Sequence, residues 1–276
     1  MIAKFFLYIL ISLSLLIAAC SLPRVADRDR EASDVWRSFT AKAAAAENNT
    51  GPFRVAGSLR FTDADGSNRA SFLLWGNGSP AAPWPLRLDL IAGAGNVVAK
   101  IHETDASFLA YIPGEQTAFA HKQGPDTLPA LGVPIPLRLR DLALLLTGRC
   151  GVLFLNAGKD PKAAPLGQAT SGQSFAFPLS LARLTGILEL SPSGEPLAWR
   201  EDRADGWSIR FEPGEDSPLL ARRLHIENAG RYSALIVVKE FHRLSDPFSP
   251  RQLALSLPPD TRVRDLNTEI LFSKRP

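Results

Sequence analysis

Phe53-Arg54-Val55-Ala56-Gly57-Ser58-Leu59-Arg60-Phe61, then Asp63-Ala64-Asp65-Gly66, then Arg69-Ala70-Ser71-Phe72-Leu73-Leu74-Trp75-Gly76 is the stretch that decides the fold. Phe53, Val55, Leu59 and Phe61 share one parity, which places them on one face of an extended strand. Asp-x-Asp-Gly between two such runs is a hairpin signal. The same residues can open a calcium loop, but the bidentate Glu that such a loop requires further on is missing, so the turn is the reading. Outward from this hairpin, strands are predicted over 86–91, 97–102, 107–112 and 116–121, with Pro113-Gly114-Glu115 as a turn. About 70 residues thus hold six short strands joined by turns rather than helices, the pattern of a meandering antiparallel sheet.

A second set is predicted over 184–190, 196–200, 207–211, 219–227, 232–240 and 252–257, with turns at Pro192-Ser193-Gly194 and Ala204-Asp205-Gly206. A helix is predicted over 33–46, capped by Ser33 or Asp34, with Trp36, Phe39 and Ala43 on one face. A second is predicted over 137–146, with a stripe of Leu139, Leu142, Leu145 and Leu146 and a stop at Gly148. Residues 124–136 and 158–172 read as loops, the first rich in proline.

Two helices cannot cover about eleven strands in a flat sheet whose apolar face must be buried. The expected fold is therefore mainly β (α+β): a curled antiparallel sheet of about eleven strands, forming an open half-barrel with helices on its concave face. Incomplete filling of that face leaves an apolar cavity suited to a lipid or acyl chain. The candidate cavity residues are Trp36, Phe39, Phe72, Leu142 and Leu145. For Trp36, Trp75, Trp84, Trp199 and Trp207 as a set, core packing is the cheaper reading.

The N-terminus carries a different message. One charge, Lys4, precedes an apolar segment from Phe5 to Ile17 that only Tyr8, Ser12 and Ser14 interrupt, and Ala18-Ala19 supplies small residues for a cleavage site. The run of about 15 residues falls short of the about 20 that span a bilayer. Leu16-Ile17-Ala18-Ala19-Cys20 resembles the lipobox of bacterial lipoproteins, although Ile17 stands where that pattern has Leu. The resemblance implies cleavage before Cys20, diacylglycerol on its thiol and an N-acyl chain on its new amine. Two or more acyl chains hold a protein stably to a membrane. Ser21, where an aspartate would mark inner-membrane retention, implies the periplasmic face of the outer membrane. The expected division is a signal peptide over 1–19, a lipidated cysteine and polar tether over 20–32, and one domain over 33–276.

The chain has 276 residues and a net charge of +3, and loss of Lys4 leaves a mature charge near +2, too weak to argue for nucleic acid. With Cys20 lipidated, Cys150 has no partner and reads as a small buried apolar residue rather than a nucleophile. His102, His121, His225 and His242 lack metal-ligand spacing, and the sequence has neither a G-x-S-x-G elbow nor a phosphate loop. His102-Glu103 and His225-x-Glu227 read as strand residues rather than acid–base pairs. No enzyme, metal or cofactor is expected beyond the covalent lipid.

Trp36 and Phe39 on a first helix, then Val55-Ala56-Gly57-Ser58-Leu59, Ala70-Ser71-Phe72-Leu73-Leu74-Trp75 and Leu86-Arg87-Leu88-Asp89-Leu90-Ile91-Ala92-Gly93 follow an order that resembles the outer-membrane lipoprotein localisation factor LolB and its relatives. Phe248-Ser249-Pro250-Arg251-Gln252-Leu253-Ala254-Leu255-Ser256-Leu257-Pro258-Pro259-Asp260 resembles the end of the wider group that includes the periplasmic carrier LolA. The resemblance implies a half-barrel that binds acyl chains of lipoproteins, with the outer membrane, lipoprotein cargo and a LolA-like carrier as partners. It also implies an exposed apolar residue on a loop after the third strand; Ile91 is the nearest match, against the reading that it ends a buried strand. The loops at 124–136 and 158–172 are additions to that pattern. The competing expectation is a structural outer-membrane lipoprotein whose sheet binds another envelope protein.

Overall fold

The computed structural model describes residues 25–48, 51–78, 84–93, 95–122, 128, 133, 135–155, 174–181, 184–214 and 220–266. Cys20, the signal segment and the 158–172 loop lie outside them.

A helix, α1 (Val25–Asn48), leads into β1 (Pro52–Asp63), β2 (Gly66–Asn77), β3 (Leu86–Ala92), β4 (Asn96–Glu103), β5 (Phe108–Ile112) and β6 (Thr117–His121). Two helices follow, α2 (Leu139–Leu146) and α3 (Cys150–Leu155). The chain then forms β7 (Phe175–Leu181), β8 (Leu184–Leu190), β9 (Pro196–Glu201), β10 (Trp207–Pro213), β11 (Ala221–Asn228) and β12 (Tyr232–Arg243), and ends in α4 (Pro250–Leu253) and β13 (Arg262–Asp265).

All thirteen strands belong to one sheet, in the order β13-β6-β5-β4-β3-β2-β1-β12-β11-β10-β9-β8-β7. Two meanders are joined at the centre by β1 against β12, and every pairing is antiparallel except β13 on β6. Laid flat, such a sheet would be roughly 60 Å wide at about 4.8 Å per strand. Yet Phe108 of β5, Leu74 of β2, Ile236 of β12 and Phe177 of β7 share one apolar core with residues of all three long-loop and N-terminal helices. The sheet is therefore curled, with its ends brought toward each other and no strand pairing that closes it among the described residues.

Gly57 lets the two meanders meet. A Cβ there would stand 2.2 Å from the Val237 carbonyl oxygen and 2.6 Å from the Phe72 ring. The β1–β12 register slips between Ala56 and Gly57, and the bulge sharpens the bend at the sheet centre. The Asp63–Gly66 hairpin forms as expected: Asp63 accepts the Asp65 N–H at 2.9 Å, and Gly66 takes φ +138°.

α1 begins at Val25 rather than at residue 33. It buries Ala32, Val35, Phe39 and Ala43 at helical spacing, while Trp36 is half-buried. Ser38 and Lys42 donate to the Ser193 carbonyl at 2.7 and 2.9 Å, which docks α1 on the β8–β9 turn. α2 ends where Gly148 adopts φ +74°. Its exposed side does not exist: residues 141–150 are all buried.

Three expectations for the strands need correction. Residues 252–257 are not a strand: Ser249 and Gln252 form a capping box with Pro250 in the first turn, so α4 starts there and an extended unpaired segment follows. β7 is an additional strand, and Pro178 within it is tolerated because β7 lies at the sheet edge. β13 is also additional. The segment before it crosses the convex face, where Asn77 exchanges two 2.7 Å hydrogen bonds with the Phe248 backbone and Arg87 donates to the Ala254 carbonyl.

Candidate functional site

The inner face of the N-terminal meander is covered by α2 and by Leu128, Val133 and Ile135 of the preceding segment. Between them and the sheet lies a cavity of about 30 Å³. Its walls are Leu59, Phe72, Leu74, Leu88, Leu90, Ile101 and Ile236 of the sheet, and Leu142 and Leu146 of α2. The lining is apolar throughout, so nothing there would hold a water by hydrogen bonds, although the volume is about that of one water. A dry cavity known to hold benzene is about 150 Å³. An acyl chain therefore enters only if α2, or the Leu128, Val133 and Ile135 side chains, move away from the sheet.

The predicted cavity residues divide. Phe72 and Leu142 line the cavity. Leu145 is buried on α2 but faces the core instead. Trp36 and Phe39 belong to a separate aromatic cluster: Trp36 lies 5.4 Å from Phe39 and 5.1 Å from Phe177, and Phe39 lies 6.4 Å from Phe154. This cluster ties α1 to β7 and α3 beneath the other half of the sheet. Ile91 is corrected: it is a half-buried residue of β3, paired with Ser71 and Val97, and the β3–β4 turn is made by the residues after it. Cys150 is buried as expected, and its burial pushes the thiol up to about 12, which keeps it protonated.

What holds α2 in place is visible only in the folded chain. Glu103, at the end of β4, accepts the Arg140 N–H at 3.3 Å under the first turn of α2, and its other oxygen is buried without a donor among the described residues. Burial raises Glu103 to about 7, with nearby Asp141 pushing the same way and the Arg140 N–H and charge opposing. Asp141 caps the helix from inside by accepting the Arg138 N–H at 3.0 Å, and burial raises its pKa too. Arg140 pairs with Asp105 at 2.7 Å and stacks on Trp84. His102 points elsewhere: burial, then Arg87, lower its pKa, and it makes no pair with Glu103. Both residues lie in β4, as their reading as strand residues expects, and the hydrogen bond of Glu103 goes to the α2 backbone.

At the other end of the cavity, one inward position beyond Leu59, Phe61 stacks on Tyr232 at 6.4 Å and Tyr232 on Trp207 at 6.5 Å. Tyr232 is exposed, so the inner face stays apolar up to the rim of the half-barrel.

Solved structures of this shape exist. A putative outer membrane lipoprotein-sorting protein domain from Vibrio parahaemolyticus aligns over 80% of this chain and 97% of its own, with a TM-score of 0.50 and 9% identity. A DUF1329 family protein from Desulfovibrio piger aligns over 80% and 96%, with a TM-score of 0.55 and 8% identity. This chain shares their fold. A LolA superfamily protein from Nitrosomonas europaea aligns over 80% and 97%, at a TM-score of 0.49 and 12% identity. No protein-family model matches the sequence, and neither does any curated protein sequence. At these identities the likeness concerns architecture alone.

Proposed function

We propose that this protein is an outer-membrane lipoprotein, held at the periplasmic face by lipid on Cys20, whose half-barrel takes up acyl chains of lipoproteins or lipids and assists their insertion into that membrane. No catalytic step is part of the reading. The observation that carries it is the wholly apolar cavity between the curled sheet and α2, with the apolar face continuing to an aromatic rim. Burying methylenes is worth roughly 0.8 kcal/mol each, so an opened inner face of this kind retains an acyl chain without any polar contact. The description of the Vibrio parahaemolyticus structure as a putative outer membrane lipoprotein-sorting protein domain agrees with lipoprotein handling, and the partners the reading implies are lipoprotein cargo and a LolA-like periplasmic carrier.

One observation favours the rival reading, a structural protein-interaction module: the cavity beneath α2 is small, about the volume of one water. Depletion separates the two. Outer-membrane lipoproteins are expected to accumulate in the inner membrane or periplasm when the protein is removed. Correct placement of all of them without it overturns the insertion role.

A further inference from the structure

Arg149, between α2 and α3, is only 8% exposed, and its Nε is buried with no acceptor among the described residues. None of the carboxylates among those residues lies within ion-pair distance of it, whereas Arg140 on the same tryptophan has Asp105. The guanidinium stacks on Trp84 with Cζ 5.7 Å from the ring centroid, and Nη1 lies 3.4 Å from where a Gly78 Cβ would stand. A buried guanidinium normally has a matching anion, because leaving one charge of such a pair alone costs several kcal/mol. Burial lowers the Arg149 pKa, and the Arg140 and Arg243 charges push the same way; only Glu47 of α1 opposes them.

The position relative to the cavity is set by β2. Leu74 lines the cavity, Gly76 lies under the Trp84 ring, and Gly78 lies against Arg149. Four residues of extended chain place Gly78, with Arg149 against it, about 13 Å beyond Leu74, and Trp84 and Leu86 pack over Gly76 between them. Leu146, a cavity residue on the last turn of α2, is close to Arg149 in sequence. We infer that Arg149, presented by Trp84 and the Gly78 backbone, is an oxyanion receptor beyond the apolar cavity, on the far side of Trp84 and Leu86, and that its ligand is the phosphate or carboxylate head of an amphiphile whose chain lies along the apolar inner face toward the cavity once α2 moves aside. The planar guanidinium offers paired donors that match either head. This rests on the acyl-binding reading and adds a head-group requirement to it.

The test uses the full chain carrying Cys20→Ala and three probes: decyl phosphate, decanol and inorganic phosphate, titrated by calorimetry. Decyl phosphate is expected to bind about tenfold or more tightly than decanol, a difference of about 1.4 kcal/mol. Arg149→Met is expected to abolish that preference while decanol still binds. Arg149→Lys keeps the charge without the fork and is expected to retain only part of the preference; it also serves if Arg149→Met fails to fold. Inorganic phosphate bound as tightly as decyl phosphate, and lost in both variants, keeps the oxyanion site but assigns it to free phosphate. Equal binding of decanol and decyl phosphate, or a preference that survives both substitutions, overturns the inference alone. Failure of both chain-bearing probes to bind overturns the acyl-binding reading itself.

Discussion

Glu103→Gln should make the protein more stable at alkaline pH and change little in acid. Glu103 has a folded-state pKa of about 7 against an ordinary 4.5. Its proton is therefore held more tightly in the folded chain, so its contribution to stability is fully present below the unfolded value and is lost as pH rises through the folded one. The difference of roughly 2.5 pKa units corresponds to an order of 3 kcal/mol at about 1.4 kcal/mol per unit. Glutamine still accepts the Arg140 N–H and cannot ionise. Urea unfolding followed by tryptophan fluorescence, run at about pH 3.5 and about pH 8.5, isolates the group as the difference between the two proteins. Asp141 and His102 titrate in both and cancel. The variant should match the native chain at the lower pH and exceed it by about 3 kcal/mol at the higher, a rise of roughly 6–12 °C in Tm. A variant with the native pH slope, or one less stable at the higher pH, would refute a buried carboxylate that ionises against its surroundings beneath α2.

Gly57→Ala should destabilise the chain by several kcal/mol in the same urea assay, because the new methyl meets the Val237 carbonyl at 2.2 Å across the central strand pair. Cys150 should resist iodoacetamide in the native chain and react only as the protein unfolds, since the thiol is buried and protonated; rapid native labelling would contradict this. Leu146→Ala should cost about 2–5 kcal/mol and enlarge the cavity, so uptake of a fluorescent fatty acid should rise even as urea stability falls.

The β-meanders were legible because Phe53, Val55, Leu59 and Phe61, and their counterparts in later strands, alternate with polar residues around turns of known chemistry. Curling followed from an area argument, and the shared core of β5 and β7 bears it out. The misses have local causes. Pro178 obscured β7, since proline in a strand signals a break unless the strand is known to be an edge. The apolar alternation after Gln252 mimicked a strand where the Ser249–Gln252 capping box starts a helical turn. Within the site, Phe72 and Leu142 were readable from parity and stripe, but Leu145 and Leu142 share that stripe and only packing tells which faces the cavity. Trp36 and Phe39 pack with Phe177 and Phe154 rather than against the cavity beneath α2, and helix periodicity does not say which half of the sheet a helix covers. Glu103 and Arg149 left no sequence signal; their significance is a burial that only the folded chain creates.

The central claim is that the space between α2 and the sheet accepts an acyl chain. Titrating a fluorescent fatty acid into the Cys20→Ala chain, with and without Leu142→Trp to fill the cavity, tests it most directly. Saturable, reversible binding at micromolar protein, lost in the Leu142→Trp variant, is the predicted result. No binding, or binding that the filled cavity leaves unchanged, would contradict it.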